Sequence, residues 1–168
     1  MKNLTKLFVF AISLAGLTTS ANAQSTATGT ATTTSITPIS IQSGVSLNFG
    51  TIASSGTAGT VSVGYADDAT YTLGVKSPGN LGDAKTGTFT VTGAGTSGFT
   101  IELPTTFDLT AGANTLTVSN ITAENGTSGT LVAGTQTIKI GATLAVPENT
   151  VAGNYTNDTD LIVSVNYN

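Results

Sequence analysis

The chain has 168 residues, of which 8% are charged, with a formal net charge of −4 and no histidine or cysteine. All five of its cations are lysines, so the common general base, thiol nucleophile and anion clamp are missing, and so is the basic surface that displaces counterions from phosphate. The expectation is a protein that is not an enzyme, carries no cofactor and has no nucleic-acid partner.

Residues 1–23 read as a signal peptide. Lys2 and Lys6 give a positive start, Leu7 to Leu17 a short apolar run, and Ala21-Asn22-Ala23 a small-x-small cleavage site. No other apolar run approaches the length needed to cross a bilayer, so no membrane span is expected after cleavage. The address is export: cell surface, periplasm or extracellular medium. The exported part keeps Lys76, Lys85 and Lys139 against nine carboxylates, which also argues against attachment to anionic lipid. Without disulfides its stability must come from packing and sheet hydrogen bonds. Gln24 to Ser35, QSTATGTATTTS, has no large apolar side chain and is expected to be a flexible low-complexity arm. Residues 36–168 form the single folded domain.

Alternation begins at Ile36. Ile39 and Ile41 share a face, and Pro38 places that run at an edge or a strand start. Val45, Leu47 and Phe49 predict a second run, ended by a turn from Gly50 through Ser54 to Gly59. Val61 and Val63 point inward, Asp67-Asp68 make a polar loop, and Thr70 to Val75 reads as a strand. Lys76 to Lys85, KSPGNLGDAK, is the clearest exposed loop. Phe89 and Val91 lie together in Thr86 to Thr92, and Phe99, Ile101 and Leu103 align after the Gly93 to Gly98 turn. Phe107 to Leu109 is a short strand or connector, Asn114 to Thr122 a strand, and Gln136 to Val146 a long run with a bulge or bend expected at Gly141. The last run is Leu161 to Tyr167, with Leu161, Val163, Val165 and Tyr167 on one face and Ile162, Ser164 and Asn166 on the other. It is expected to be a core strand that closes its part of the sheet last. No segment sustains a helical period, and eight to ten short strands at turn spacing predict an all-β antiparallel sandwich.

The ordered stretches LNFGTI (47–52), GTVSVG (59–64), TGTFTVTGAGTSGFTIELP (86–104) and GTQTIKIGATLAVPENTVAGNYT (134–156), closed by VSVNYN, resemble a bacterial family known as domain of unknown function 4402. The terminal GNYT and VSVNY pattern is also similar to spore-coat-U and fimbrial subunits. That second resemblance implies an immunoglobulin-like sandwich, exported and assembled by pairing with like subunits or a periplasmic chaperone. Val163, Val165, Tyr167 and Gly153 stand where the chaperone-pairing strand of those families carries its anchors. The fimbrial disulfide is absent, and the arm carries Ala27, Gly29 and Ala31 where a donor strand would carry bulky apolar residues.

Other constellations compete with blander readings. Glu102 points outward, Glu124 and Glu148 lie in turns, and no pair of carboxylates is marked as convergent. Asp67 and Asp68, and Asn157, Asp158 and Asp160, offer hard oxygen atoms in loops, as calcium prefers, or are solvated turn residues. Tyr65, Tyr71 and Tyr155 offer a sugar-stacking patch or ordinary sheet packing. The functional expectation is a structural protein of the cell surface, pilin-like or fimbrial-like. The alternative is a glycan- or matrix-binding adhesin module.

Overall fold

The structure is a computed structural model and describes residues 24–79 and 83–168; the signal-peptide expectation, on residues 1–23, lies outside it. The chain divides into two compact units, residues 1–34 and 35–168. In the first, residues 24–34 are exposed and carry no regular secondary structure, as expected where there is no large apolar side chain to bury.

The second unit is an all-β antiparallel sandwich of ten strands: β1 (Ser40–Ser43), β2 (Gly59–Val63), β3 (Ala69–Tyr71), β4 (Gly87–Thr92), β5 (Gly98–Glu102), β6 (Phe107–Ala111), β7 (Asn114–Ala123), β8 (Ser128–Thr130), β9 (Thr135–Val146) and β10 (Ser164–Tyr167). Among the described residues there is no helix. Seven strands form the larger sheet, and β10, β5 and β8, in that order, form the smaller one.

The larger sheet is built on β9. Ile140 pairs with both Gly87 and Ala123, and Leu144 with both Val61 and Val118. Thus β4 and β2 lie end to end along one edge of β9, and β7 takes the other. The splice between β2 and β4 falls at Gly141, where an added Cβ would meet the Val63 carbonyl at 2.6 Å. Thr86, the one buried polar residue described, holds that splice. Its hydroxyl donates to the Gly64 carbonyl (2.7 Å) and accepts from the Asp67 amide (3.1 Å), while its own amide donates to Asp67 Oδ1 (2.9 Å).

Even-numbered residues of β9 face inward and divide into two apolar clusters. Ala142, Leu144 and Val146 join Phe49, Val61, Val63, Val75, Phe107, Leu116 and Val118. Ile138 and Ile140 join Val91, Phe99, Ile101, Ala123 and Leu131, under the smaller sheet. The opposite face of the larger sheet is lined by hydroxyls. Ser40, Thr92 and Thr135 align in one row, Gln42, Thr90 and Thr137 in the next, and Thr70, Ser62, Thr143 and Ser119 in another.

Several expectations are corrected. Val45 to Phe49 is not a strand. It makes one isolated bridge, Asn48 to Lys85, and separate bonds between Val45 and Thr88, and Val45 is exposed while Phe49 is buried. The run Thr70 to Val75 stops at Tyr71, because Leu73 takes φ of 50° in a turn and projects into solvent, 80% exposed. The Lys76–Lys85 loop is exposed as expected at Lys76–Gly79, Asp83 and Lys85, but it is tied at both ends, Lys76 to Ala53 and Lys85 to Asn48, and its Ala84 is buried. The bulge is not at Gly141 but across from it on β7, between Ser119 and Thr122, with Asn120 at φ of 50°. Phe89 is only half-buried, since its neighbour on β1 is the small Ser43 at the sheet margin.

Candidate functional site

The terminal strand enters through a compact turn. Asn157 Oδ1 accepts from the amides of Thr159 (3.0 Å) and Asp160 (2.8 Å), and Asn157 Nδ2 donates to the Asp108 carbonyl (2.6 Å) and Asp160 Oδ2 (2.7 Å). Thr159 Oγ1 donates to Asp160 Oδ1 at 2.8 Å. These two side-chain donors, Asn157 first, hold the Asp160 carboxyl below its ordinary pKa, because they favour the charged form. Both of its oxygens already accept hydrogen bonds within the turn.

Beyond the turn the four predicted anchors separate. Leu161 packs on the Phe49 cluster, and Val163, Val165 and Tyr167 pack on the Phe99 cluster. All four are half-buried, Ile162 and Asn166 are exposed, and Ser164, expected on the outer face, is also half-buried. The predicted core strand is instead an edge strand of four residues, paired only with β5 in the register Ser164–Glu102 through Tyr167–Phe99. Gly153 lies outside it, in an irregular segment, where a Cβ would come within 3.2 Å of Ala111 Cβ.

The direction of the ladder determines what β10 offers. The Asn168 amide donates to the Gly98 carbonyl at 3.2 Å. By the alternation of an antiparallel pair, Asn166 and Ser164 also face β5, and the N–H and C=O of Val165 and Tyr167 point the other way. No strand pairs with that side among the described residues. Beside it runs β1, the margin of the other sheet; its Ile41, and Ile39 just before it, are half-buried on the same Phe99 cluster. The seam between the sheets thus combines an unpaired main-chain row with partly covered apolar side chains.

Tyr167 crosses that seam. Its hydroxyl accepts from the Ala94 amide (2.6 Å) and donates to the Thr37 carbonyl (2.7 Å). Gly93 leaves the room, since a Cβ there would overlap the phenol oxygen. Sequence reading marked Tyr167 but not Thr37, Gly93 or Ala94. Those three are joined to it only by the fold, and a glycine in a turn carries no sign of what sits above it.

The remaining candidates are engaged elsewhere. Asp67 Oδ1 accepts from the Thr86 amide and Oδ2 from Lys85 Nζ (3.2 Å); the backbone bond first, then the lysine, holds its carboxyl below the ordinary value. Among the described residues no three acidic side chains converge as a metal site would require. Tyr65 donates to Thr122 Oγ1 (2.8 Å), Tyr155 donates to the Val151 carbonyl (2.8 Å), and Tyr71 packs on the Phe49 cluster. An open depression of about 550 Å³ is lined by Ser54, Ser55, Leu73 and Lys76, with Lys76 its one ionisable group.

No curated protein and no solved structure matches the chain. A family model described as Domain of unknown function (DUF4402) matches residues 39–167, from the lead-in of β1 to the last residue of β10.

Proposed function

Because the chain belongs to the domain of unknown function 4402 family, whose description assigns no activity, we propose its function from its own geometry: an exported, non-enzymatic structural protein of the cell surface. In this reading it is an immunoglobulin-like, pilin-like subunit that assembles by accepting a strand at the outer edge of β10. The partner is a like subunit or an assembly chaperone. One observation carries the reading: Val165 and Tyr167 present unpaired main-chain groups beside half-buried apolar side chains. Exposed edges of this kind template pairing with another chain unless they are blunted by charge, proline or a bulge. β10, SVNY, has none of these three, and its protection is limited to its short length of four residues. Added strands gain affinity from main-chain hydrogen bonds and specificity from alternate side chains.

The test is negative-stain microscopy of exported material together with amide exchange. Assembled protein should slow exchange at Val165 and Tyr167 relative to monomer. Val165→Pro should block assembly and keep the β5 ladder, because the amide it removes points outward. Assembly that leaves both amides unprotected, or that proceeds undiminished in a folded Val165→Pro variant, would reject the reading. A second reading, a glycan-binding module, draws on the hydroxyl rows of the larger sheet; a glycan array on the monomer separates the two.

A further inference from the structure

We infer that the Tyr167 hydroxyl is a latch: it holds the lead-in of β1 across the outer edge of β10, and its release gates strand addition there. This rests on the assembly reading above. The segment Ser35–Ile39 has little else to hold it. It precedes the ladder, which starts at Ser40, and among the described residues no backbone hydrogen bond is made by any of its five residues. Pro38 has no amide to donate to a ladder, and the residue before a proline is pushed toward extended conformations, so Thr37 is held extended with its carbonyl free to accept from Tyr167. Ile36 is 57% exposed and Ile39 only half-buried. The polar tie is the Tyr167 hydroxyl on the Thr37 carbonyl.

The tie spans two sheets. Ala94 and Gly93 follow β4, Thr37 precedes β1, and β1 and β4 are ladder partners, whereas Tyr167 belongs to the smaller sheet. A phenol oxygen has one hydrogen to donate and lone pairs to accept, and here both capacities are used at short distance, 2.7 and 2.6 Å. Tyr167 also belongs to the row whose main chain faces outward. β1 lies close to β10, so a strand docking against that row would approach the lead-in that Tyr167 holds. The residue that presents the edge therefore also ties down the segment beside it.

The experiment compares the purified protein with Tyr167→Phe, which keeps the ring and loses the hydroxyl, and with Tyr155→Phe, which loses a hydroxyl bond elsewhere. Hydrogen exchange reports the latch. The probe for the edge is a synthetic peptide copying residues 98–103, GFTIEL, the segment that pairs with β10 within the fold; its capture is read as protection of Val165 and Tyr167 (or Phe at that position). Losing these bonds should speed exchange at Ala94 and along Ser40–Ser43 about tenfold, leave β9 unchanged, and speed peptide capture by a similar factor. Tyr155→Phe should do neither. Unchanged exchange along β1 would overturn the latch, and faster exchange with an unchanged capture rate would overturn the gate. Capture by neither parent nor Tyr167→Phe would overturn the assembly reading, with the exchange data still deciding whether the hydroxyl holds β1.

Discussion

Phe99 and Gly129 offer the sharpest test of the packing described for the smaller sheet. Phe99 is completely buried among Val91, Ile101, Leu131, Ile138 and Ile140, and its ladder partner is Gly129. A Cβ on Gly129 would clash with the Cζ end of the Phe99 ring, so the missing side chain of one residue is the room for the other. A buried aromatic ring removes roughly 150–250 Å² from water, and at about 25 cal/mol per Å² that is roughly 4–6 kcal/mol of transfer free energy. Phe99→Ala retains the Cβ share and should cost about 3–5 kcal/mol. Gly129→Ala should cost about 1–3 kcal/mol by overpacking. In a Phe99→Ala background the same substitution has space to enter and should cost almost nothing, giving a coupling of about 1–3 kcal/mol. Equilibrium urea unfolding, followed by circular dichroism and by the four tyrosines, measures all four corners of the cycle. If Gly129→Ala costs the same in both backgrounds, Phe99 does not occupy the space above Gly129 and the packing of β5 on β8 is wrong.

Four further outcomes follow from the splice, the bulge and the edge of the core. Thr86→Val should cost about 0.5–1.5 kcal/mol in urea unfolding, because the half-buried Gly64 carbonyl and the Asp67 amide lose the Thr86 hydroxyl as partner; an isosteric change with no cost would remove the splice from the account. Asp67 titrates below its ordinary value in the folded state, so its contribution is complete above the unfolded carboxylate pKa and is lost as pH falls through the lower folded value. Thermal melts between about pH 5 and pH 2 should therefore fall less steeply for Asp67→Asn than for the parent, with Asp160 supplying part of the slope that remains. Asn120→Val should cost about 1–2 kcal/mol and Asn120→Gly almost nothing, since a β-branched residue resists the left-handed region that Asn tolerates. Phe89→Ala, at the sheet margin, should cost clearly less than Phe99→Ala in the same assay.

What could be read from the sequence was local. Val61 with Val63, and Phe99 with Ile101, alternate cleanly and are buried as expected. Pro38 stands just before β1, which is a sheet margin. Alternation misled where apolar residues with the right phase had no neighbour to pair with: Val45, Leu47 and Phe49 alternate, yet the chain there bridges β4 only at wide intervals. Gly141 was a true signal with the wrong cause, since it clears the Val63 carbonyl while the extra residue sits on β7. The β7 pattern did contain that information, because Leu116 and Val118 fall out of step with Ile121 and Ala123. β8 passed unseen because Ser128–Thr130 has no apolar residue to alternate. At the terminal strand the phase was legible and the role was not: whether Val165 and Tyr167 end in a core or on an edge depends on a second strand that one sequence does not name.

The position of β9 bears on how the chain reaches this state. Within the larger sheet, the strands before it pair among themselves only as β1 with β4, β2 with β3 and β6 with β7. Two-stranded pieces of that kind are marginal in water on their own. All three are joined by a strand that begins at Thr135, so the larger sheet has no nucleus until most of the chain is available. Pairings of such long sequence separation fold slowly, on the scale of milliseconds to seconds. Substitutions in β9 should consequently depress the refolding rate, while those in β10 chiefly speed unfolding. A chain that cannot begin to collapse around its central strand early stays unfolded and flexible until its last third has been made.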